Sequence, residues 1–508
     1  MKSAAPRLSL ETLVGRERDG GWRRQETGAA GQQGRVFGSV LIAVCLFAAA
    51  VVGLHPARAA AQNPIVIESQ QPGSGGWLIE GNTGSDAVGQ IRTYMSAVSV
   101  NKGGNIDFRV SVNPAQTYTI DVYRLGWYNG AGGRLMQHIG PLNGTQQPTC
   151  PTDATTGMIE CNWAVGYTLT TQTSWTDGVY LAVLTNAQNY QSYAHFVVRD
   201  DSRNAALMYQ LTTNTFQAYN DYPYDNKTGK SLYAFNSYGA NTVGGSSAAV
   251  KVSFDRPYNY DGECGVWGHC ILSNDFNWVR WLEMSGYDVT YTTDLDAHLN
   301  AARLLSFRGI ILGVHSEYWS KAMYDNFIAA RDAGVNLFFS GADAVYWQIR
   351  YEPSSSGVPN RVIVCYRDAT IDPNTNPALE TVLWRDPPLN RPEQALIGVM
   401  FTNVVGSNAQ GVYPPYIVNN SSNWVYAGSG FKDGDSVAGI VGYEADRQIS
   451  GYPTPNAVTG TYTLLSHSPF TASDGADYAN SSIYQASSGA WVFASGTISL
   501  GHYRAPQT

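Results

Sequence analysis

The sequence predicts a multidomain fold, an N-terminal antiparallel β-sandwich followed by an α/β domain with a mainly parallel sheet, and three observations carry that prediction. Up to about Asp200, short runs of alternating apolar and polar residues are separated by Gly, Asn and Thr clusters, the spacing of a sandwich. Beyond that point the order becomes strand, loop, helix, which implies parallel strands covered by helices. Third, 508 residues with only 14% Asp, Glu, Lys and Arg, against about 25% in typical soluble domains, and 12% aromatic residues can build more than one full core.

The net charge of −8 is spread along the chain without a basic run, which sets nucleic acid aside as a partner. Residues 1–61 read as a signal peptide or N-terminal anchor. Arg23, Arg24 and Arg35 precede an apolar run over 36–54, and the small-residue tracts Ala57-Arg-Ala59 and Ala59-Ala-Ala61 follow it. Cleavage there secretes the rest. Left uncleaved, the run is long enough to anchor the chain in a membrane. In either case the bulk of the chain is expected outside the cytoplasm.

Residues 62–200 form the expected sandwich, with strands such as Tyr118-Thr-Ile-Asp-Val-Tyr-Arg124 and Gly178-Val-Tyr-Leu-Ala-Val-Leu184. Cysteine usage suits an oxidising compartment: Cys150 lies near Cys161 and Cys264 near Cys270, so two disulfides are expected. His269 adds a possible zinc ligand at the second pair, but the spacing is not C-x2-C and no second pair of ligands is near. Cys365 follows the apolar Arg361-Val-Ile-Val and reads as a buried, inert thiol. The polar Arg199-Asp-Asp-Ser-Arg203 reads as a hinge.

Residues 201–508 form the expected α/β domain. Apolar runs at Ala205-Ala-Leu-Met-Tyr-Gln-Leu211, Tyr287-Asp-Val-Thr-Tyr291, Gly309-Ile-Ile-Leu-Gly-Val314 and Val335-Asn-Leu-Phe-Phe339 read as strands buried on both faces. Between them Phe276-Asn-Trp-Val-Arg-Trp-Leu-Glu283 reads as a helix, and Ser320 caps another whose apolar positions are Met323, Phe327 and Ala330. Ligands of such sheets bind outside the carboxyl ends of the strands. His315 and Glu317 stand at one of those ends, and Tyr219 and Asp343 follow two others. Each alone has an ordinary reading: a core aromatic, an anion near a helix start, a turn residue. Together they mark one rim.

Tyr123-Arg-Leu-Gly-Trp-Tyr-Asn-Gly-Ala-Gly-Gly133, Phe216-Gln-Ala-Tyr-Asn-Asp221, Phe254-Asp-Arg-Pro-Tyr258, His315-Ser-Glu-Tyr-Trp-Ser320, Trp384-Arg-Asp-Pro-Pro388 and Arg391-Pro-Glu-Gln-Ala-Leu396 resemble the large (beta) subunit of N,N-dimethylformamidase and its exported relatives. The resemblance covers nearly all of the chain after residue 61. It implies a β-sandwich followed by a domain similar to class I glutamine amidotransferases, lacking their cysteine nucleophile. It also implies a mononuclear ferric iron centre with two tyrosine phenolates and one glutamate, hydrolysing a small amide. By motif, Glu317 is the carboxylate ligand and Tyr219 one phenolate. For the second, Tyr258 is chosen, with Tyr260 the alternative. His315 matches a catalytic histidine beside the metal, and Glu444 is placed as the acid or base that moves the water proton. A small partner subunit or a homo-oligomer is implied as well.

Two departures stand out. Asp343 occupies a position where the resemblance implies an asparagine able to donate a hydrogen bond, which an ionised carboxylate cannot do. The resemblance also implies a continuation after Gly501-His-Tyr-Arg504, so the sheet is expected to lack its last element. The expected function is a secreted iron-dependent hydrolase of small non-peptide amide C–N bonds. The competing classes are an exported carbohydrate or cell-wall binding protein with a degenerate site, and a nucleophile-dependent hydrolase. The last is disfavoured because Cys365 lacks the Gly-flanked turn that presents such a nucleophile.

Overall fold

The computed structural model describes residues 63–79, 82–237, 241–259, 272, 275–405 and 413–501. The expected signal peptide or anchor, the Cys264–Cys270 bridge, His269, Tyr260 and the last residues after Gly501 lie outside the described residues. Among those described, no helix is long and apolar enough to cross a membrane. The chain is rich in β-structure, arranged as several sheets with few and mostly short helices.

The first part is a sandwich. One sheet has the order Ile91–Met95, Asn105–Val112, Val165–Thr170, antiparallel throughout. The other runs Ser99–Asn101, Gln191–Arg199, Gly178–Asn186, Thr117–Leu125, Gly133–Asn143. It is antiparallel except at its edge, where Ser99–Asn101 pairs parallel with Val197 to Arg199. Period-two alternation sends Phe108, Val110, Ile120, Val122, Tyr180 and Phe196 into the space between the sheets. Cys150 and Cys161 are joined, as expected, across a Cα separation of 4.4 Å. Mass spectrometry of unreduced protein should therefore find one linked pair of peptides carrying these residues. Free thiols at both would remove the bridge.

The last sandwich strand ends at Arg199 and the next strand begins at Leu207. The intervening polar stretch is held by ion pairs: Arg203 with Asp177 and Asp288, Lys102 with Asp200, and Arg199 with Asp296.

Beyond it, a seven-stranded sheet has the order Val289–Thr293, Leu207–Leu211, Gly309–Leu312, Asn336–Phe339, Trp491–Ala494, Ser482–Gln485, Thr463–Leu464. The first five strands are mutually parallel and the last two antiparallel. Alternate residues serve different cores. Leu207, Tyr209, Leu211, Ile311 and Phe338 join a cluster with Trp278, Leu282 and the sandwich residues Leu181 and Val183. Met208, Ile310, Leu312, Leu337 and Phe339 pack with Trp319, Met323 and Phe327. Both faces are thus buried, which is why these strands read as unbroken apolar runs. The helix Lys321–Asp332 starts where expected, with the Ser320 side chain accepting from the Met323 N–H.

One element went unforeseen. Tyr318–Ser320 is a strand, the edge of a four-stranded sheet continued by Trp347–Glu352, Val362–Val364 and Lys251–Ser253. The segment between Leu312 and Tyr318, carrying His315 and Glu317, is therefore clamped between two sheets.

Candidate metal centre

The site stands at the carboxyl ends of three adjacent parallel strands. After Leu207–Leu211 comes the helix Thr213–Ala218, whose C-terminal cap is Tyr219. After Gly309–Leu312 come His315 and Glu317, and after Asn336–Phe339 comes the turn holding Asp343. A fourth segment, the strand Glu444–Arg447, pairs with Met400–Val404 and brings Glu444. Tyr219, His315, Glu317, Asp343 and Glu444 are all buried.

Their contacts are close. The Tyr219 hydroxyl donates to Glu317 Oε2 at 3.0 Å. His315 Nε2 lies 3.1 Å from Glu317 Oε2 and 3.1 Å from Glu444 Oε2, yet is aligned for a hydrogen bond with neither. On its other side, His315 Nδ1 is 3.4 Å from the Tyr443 hydroxyl. The Tyr219 and His315 rings lie 5.4 Å apart. Burial disfavours charge on His315, but Glu444 and Glu317 outweigh it and raise its pKa well above the ordinary value. Burial likewise raises Glu317, opposed by His315.

The two loops lock one another in place. The Val345 N–H donates to Ser316 O at 2.8 Å and the Tyr346 N–H to Glu317 O at 2.9 Å. Gly341 is required because a Cβ there would sit 1.4 Å from the Val314 carbonyl oxygen. Asp343 and Val345 both take left-handed backbone conformations, with φ of 51° and 62°. That is uncommon for any side chain and a marked outlier for a β-branched one. Such strain, of order 1–3 kcal/mol per residue, concentrates at functional sites.

Asp446 pins this turn, its Oδ1 accepting from the Asp343 N–H at 2.8 Å. Burial raises Asp446 to a pKa of about 7. It was missed from sequence, although it follows Glu444 by two residues and so shares a strand face with it. Burial, then the charges of Glu317, Glu444 and Asp446, hold Asp343 well above the carboxylate range. A protonated Asp343 would carry one O–H donor, which an ionised carboxylate lacks.

The cluster is rich in carboxylates. Four carboxylates, Glu317, Asp343, Glu444 and Asp446, face His315 and the more distant Arg385, which is itself paired with Glu393. Asp343 Oδ1, Glu444 Oε2 and Asp446 Oδ2 are buried without a hydrogen-bond partner. Buried anions and orphaned acceptors are what a bound cation satisfies. His315, Glu317 and Asp343 each offer one ligand atom, all within 4.8 Å of one another. The donor set fits a metal ion.

Five of the residues expected at the site are brought together, and Tyr258 makes a different contact. Its ring packs against His195 of the sandwich, 4.9 Å between centroids, and among the described residues no hydrogen bond joins it to Glu317. Cys365 is a buried free thiol whose pKa burial pushes up to about 12, the inert reading expected of it.

Residues 119–502 match the family described as N,N-dimethylformamidase beta subunit-like, C-terminal. No curated protein matches. Among solved structures, a superoxide reductase (neelaredoxin) from Ignicoccus hospitalis is 13% identical, covers 22% of this chain and 78% of its own, and has a TM-score of 0.13. A Paenibacillus sp. cycloisomaltooligosaccharide glucanotransferase is 10% identical over 65% of this chain and 62% of its own, with a TM-score of 0.16. Likenesses at these scores carry no argument.

Proposed function

The chain belongs to the N,N-dimethylformamidase beta subunit-like family, and from that premise we propose that it hydrolyses small non-peptide amide C–N bonds at a metal centre built on Glu317. The observation that supports this reading most is the buried Tyr219–Glu317 hydrogen bond beside His315 and Glu444, in a pocket rich in carboxylates that a cation would balance. The ion proposed is iron, probed as ferric, with Tyr219 and Glu317 as ligands. Tyr258 and Tyr260 stand as the candidates for a second phenolate.

Hard anionic oxygen donors suit a ferric ion, which when bound would supply Lewis acidity toward an amide carbonyl. The chain's own residues then have separable tasks. His315, set between Glu317 and Glu444, holds both carboxylates in position and orients the attacking water. Glu444 accepts a proton from that water as its oxygen bonds to the carbonyl carbon. It returns the proton to the amine nitrogen as the C–N bond breaks. Asp343, at the same rim, offers a further oxygen donor to the site.

The reading extends to export through residues 1–61, to a division at residue 200 into a sandwich and an amidotransferase-like α/β domain, and to a small partner subunit or self-association. It is tested by elemental analysis of the purified protein together with amine release from N,N-dimethylformamide and other small tertiary amides. About one iron per chain and measurable amine release are expected. Protein that neither holds a metal nor releases amine defeats the proposal. His315→Ala should keep most of the metal while lowering kcat by roughly a hundredfold or more, the usual contribution of a positioned acid–base group.

A further inference from the structure

We infer that Asp343 is itself a metal ligand in this chain, joining Glu317 as a second carboxylate donor. The inference rests on the metal reading above and adds a residue to it.

Four observations converge. Asp343 is only 4% exposed, and its Oδ1 has no hydrogen-bond partner. A carboxylate oxygen buried and left unsatisfied is costly unless something binds it. That side chain offers a donor atom within 4.8 Å of those offered by Glu317 and His315. The turn carrying it is over-determined: Asp446 Oδ1 holds the Asp343 N–H, Ser316 O holds the Val345 N–H, and the Ser495 hydroxyl donates to Gly341 O at 2.8 Å. These bonds sustain two left-handed residues whose effect is to aim Asp343 inward. Lastly, among the described residues Tyr258 has its ring packed on His195, whereas Asp343 offers a carboxylate oxygen beside Glu317.

The chemistry follows from the donors. Two carboxylates and one phenol oxygen make an oxygen-rich, hard centre suited to iron or manganese and unsuited to soft ions such as Cu(I). His315 Nε2, 3.1 Å from both Glu317 and Glu444, sits between the two carboxylates and need not bind the ion. Asp446 acts through Asp343 as a positioning residue.

The test compares wild type, Asp343→Asn and Asp343→Gly as purified full-length proteins. Both replacements tolerate positive φ, so the turn should survive them. Each protein is dialysed against a graded series of a chelator, and retained iron is measured by elemental analysis, with thermal stabilisation by added iron or manganese as a second readout. Both variants should lose metal at chelator concentrations at least about tenfold lower than wild type, the size of effect that even indirect changes to a metal site produce. Asp446→Asn keeps a carbonyl acceptor for the Asp343 N–H and should retain metal like wild type, whereas Asp446→Ala should not. If wild type holds iron and Asp343→Asn holds it equally well, Asp343 is no ligand and the Glu317 centre stands. Wild-type protein that neither contains metal nor is stabilised by it overturns both readings.

Discussion

Replacing Glu317 with glutamine is expected to empty the centre, taking metal from roughly one ion per chain to under about a tenth and amide hydrolysis down by more than roughly a hundredfold. Glutamine has nearly the same shape, so packing against Tyr219 and the loop hydrogen bonds through the Glu317 backbone should persist. What changes is charge. A neutral amide is a poor ligand for a hard cation, and its NH2 group placed toward His315 Nε2 competes with the arrangement that now serves Glu444. Any visible band from ferric phenolate ligation by Tyr219 should fade with the metal. Iron content, visible absorbance and amine release measured on the same preparation separate this outcome from simple misfolding. If Glu317 served only the start of the helix that follows, its loss would cost about 0.3–1 kcal/mol and leave metal content unchanged. Equal iron in wild type and Glu317→Gln would refute the ligand assignment.

The legible parts of the site are those where local pattern and tertiary role coincide. The strand Gly309–Leu312 announces itself because both faces are buried, and His315 and Glu317 draw notice as ionisable groups set directly after it. Tyr219 and Asp343 follow from the rule that parallel strands carry sites at their carboxyl ends. Asp446 was not legible, since its task is to hold a backbone N–H about a hundred positions away in the sequence. Tyr258 shows the converse. An aromatic residue in a polar loop reads alike whether it faces a metal or, as here, packs on His195 from the sandwich. The strand Tyr318–Ser320 was hidden because three residues have no period of their own, and only pairing with Trp347–Glu352 makes them a strand.

The second large effect is expected in stability. Arg124, from the motif Tyr123 to Gly133 that the proposed chemistry leaves unused, forms a fully buried two-pronged ion pair with Glu283. NH2 meets Oε1 at 2.7 Å and NH1 meets Oε2 at 3.1 Å, with both side chains 0% exposed. The pair ties the sandwich strand Thr117–Leu125 to the helix Phe276–Met284. Tyr291 of the seven-stranded sheet donates to Glu283 Oε1 at 2.9 Å, and Arg124 also donates to the Asp177 carbonyl at 3.0 Å. Tyr128 links Arg124 to Glu68 on the helix Pro64–Ser69. Each remaining donor and acceptor is thus satisfied, which is the condition under which buried charges are tolerated. Arg124→Met fills a similar volume but strands Glu283 without a counter-charge, so a loss of about 3–5 kcal/mol is expected. Glu283→Leu should cost a comparable amount by stranding Arg124. The double variant removes both charges together and should recover much of the loss, because replacing a buried pair by apolar side chains is often nearly neutral. Denaturant unfolding of wild type, both single variants and the double, followed by tryptophan fluorescence, yields the coupling between the two residues. Single variants within about 1 kcal/mol of wild type would mean that water reaches the pair and that the two layers are joined chiefly by the apolar cluster around Leu181, Leu207 and Trp278.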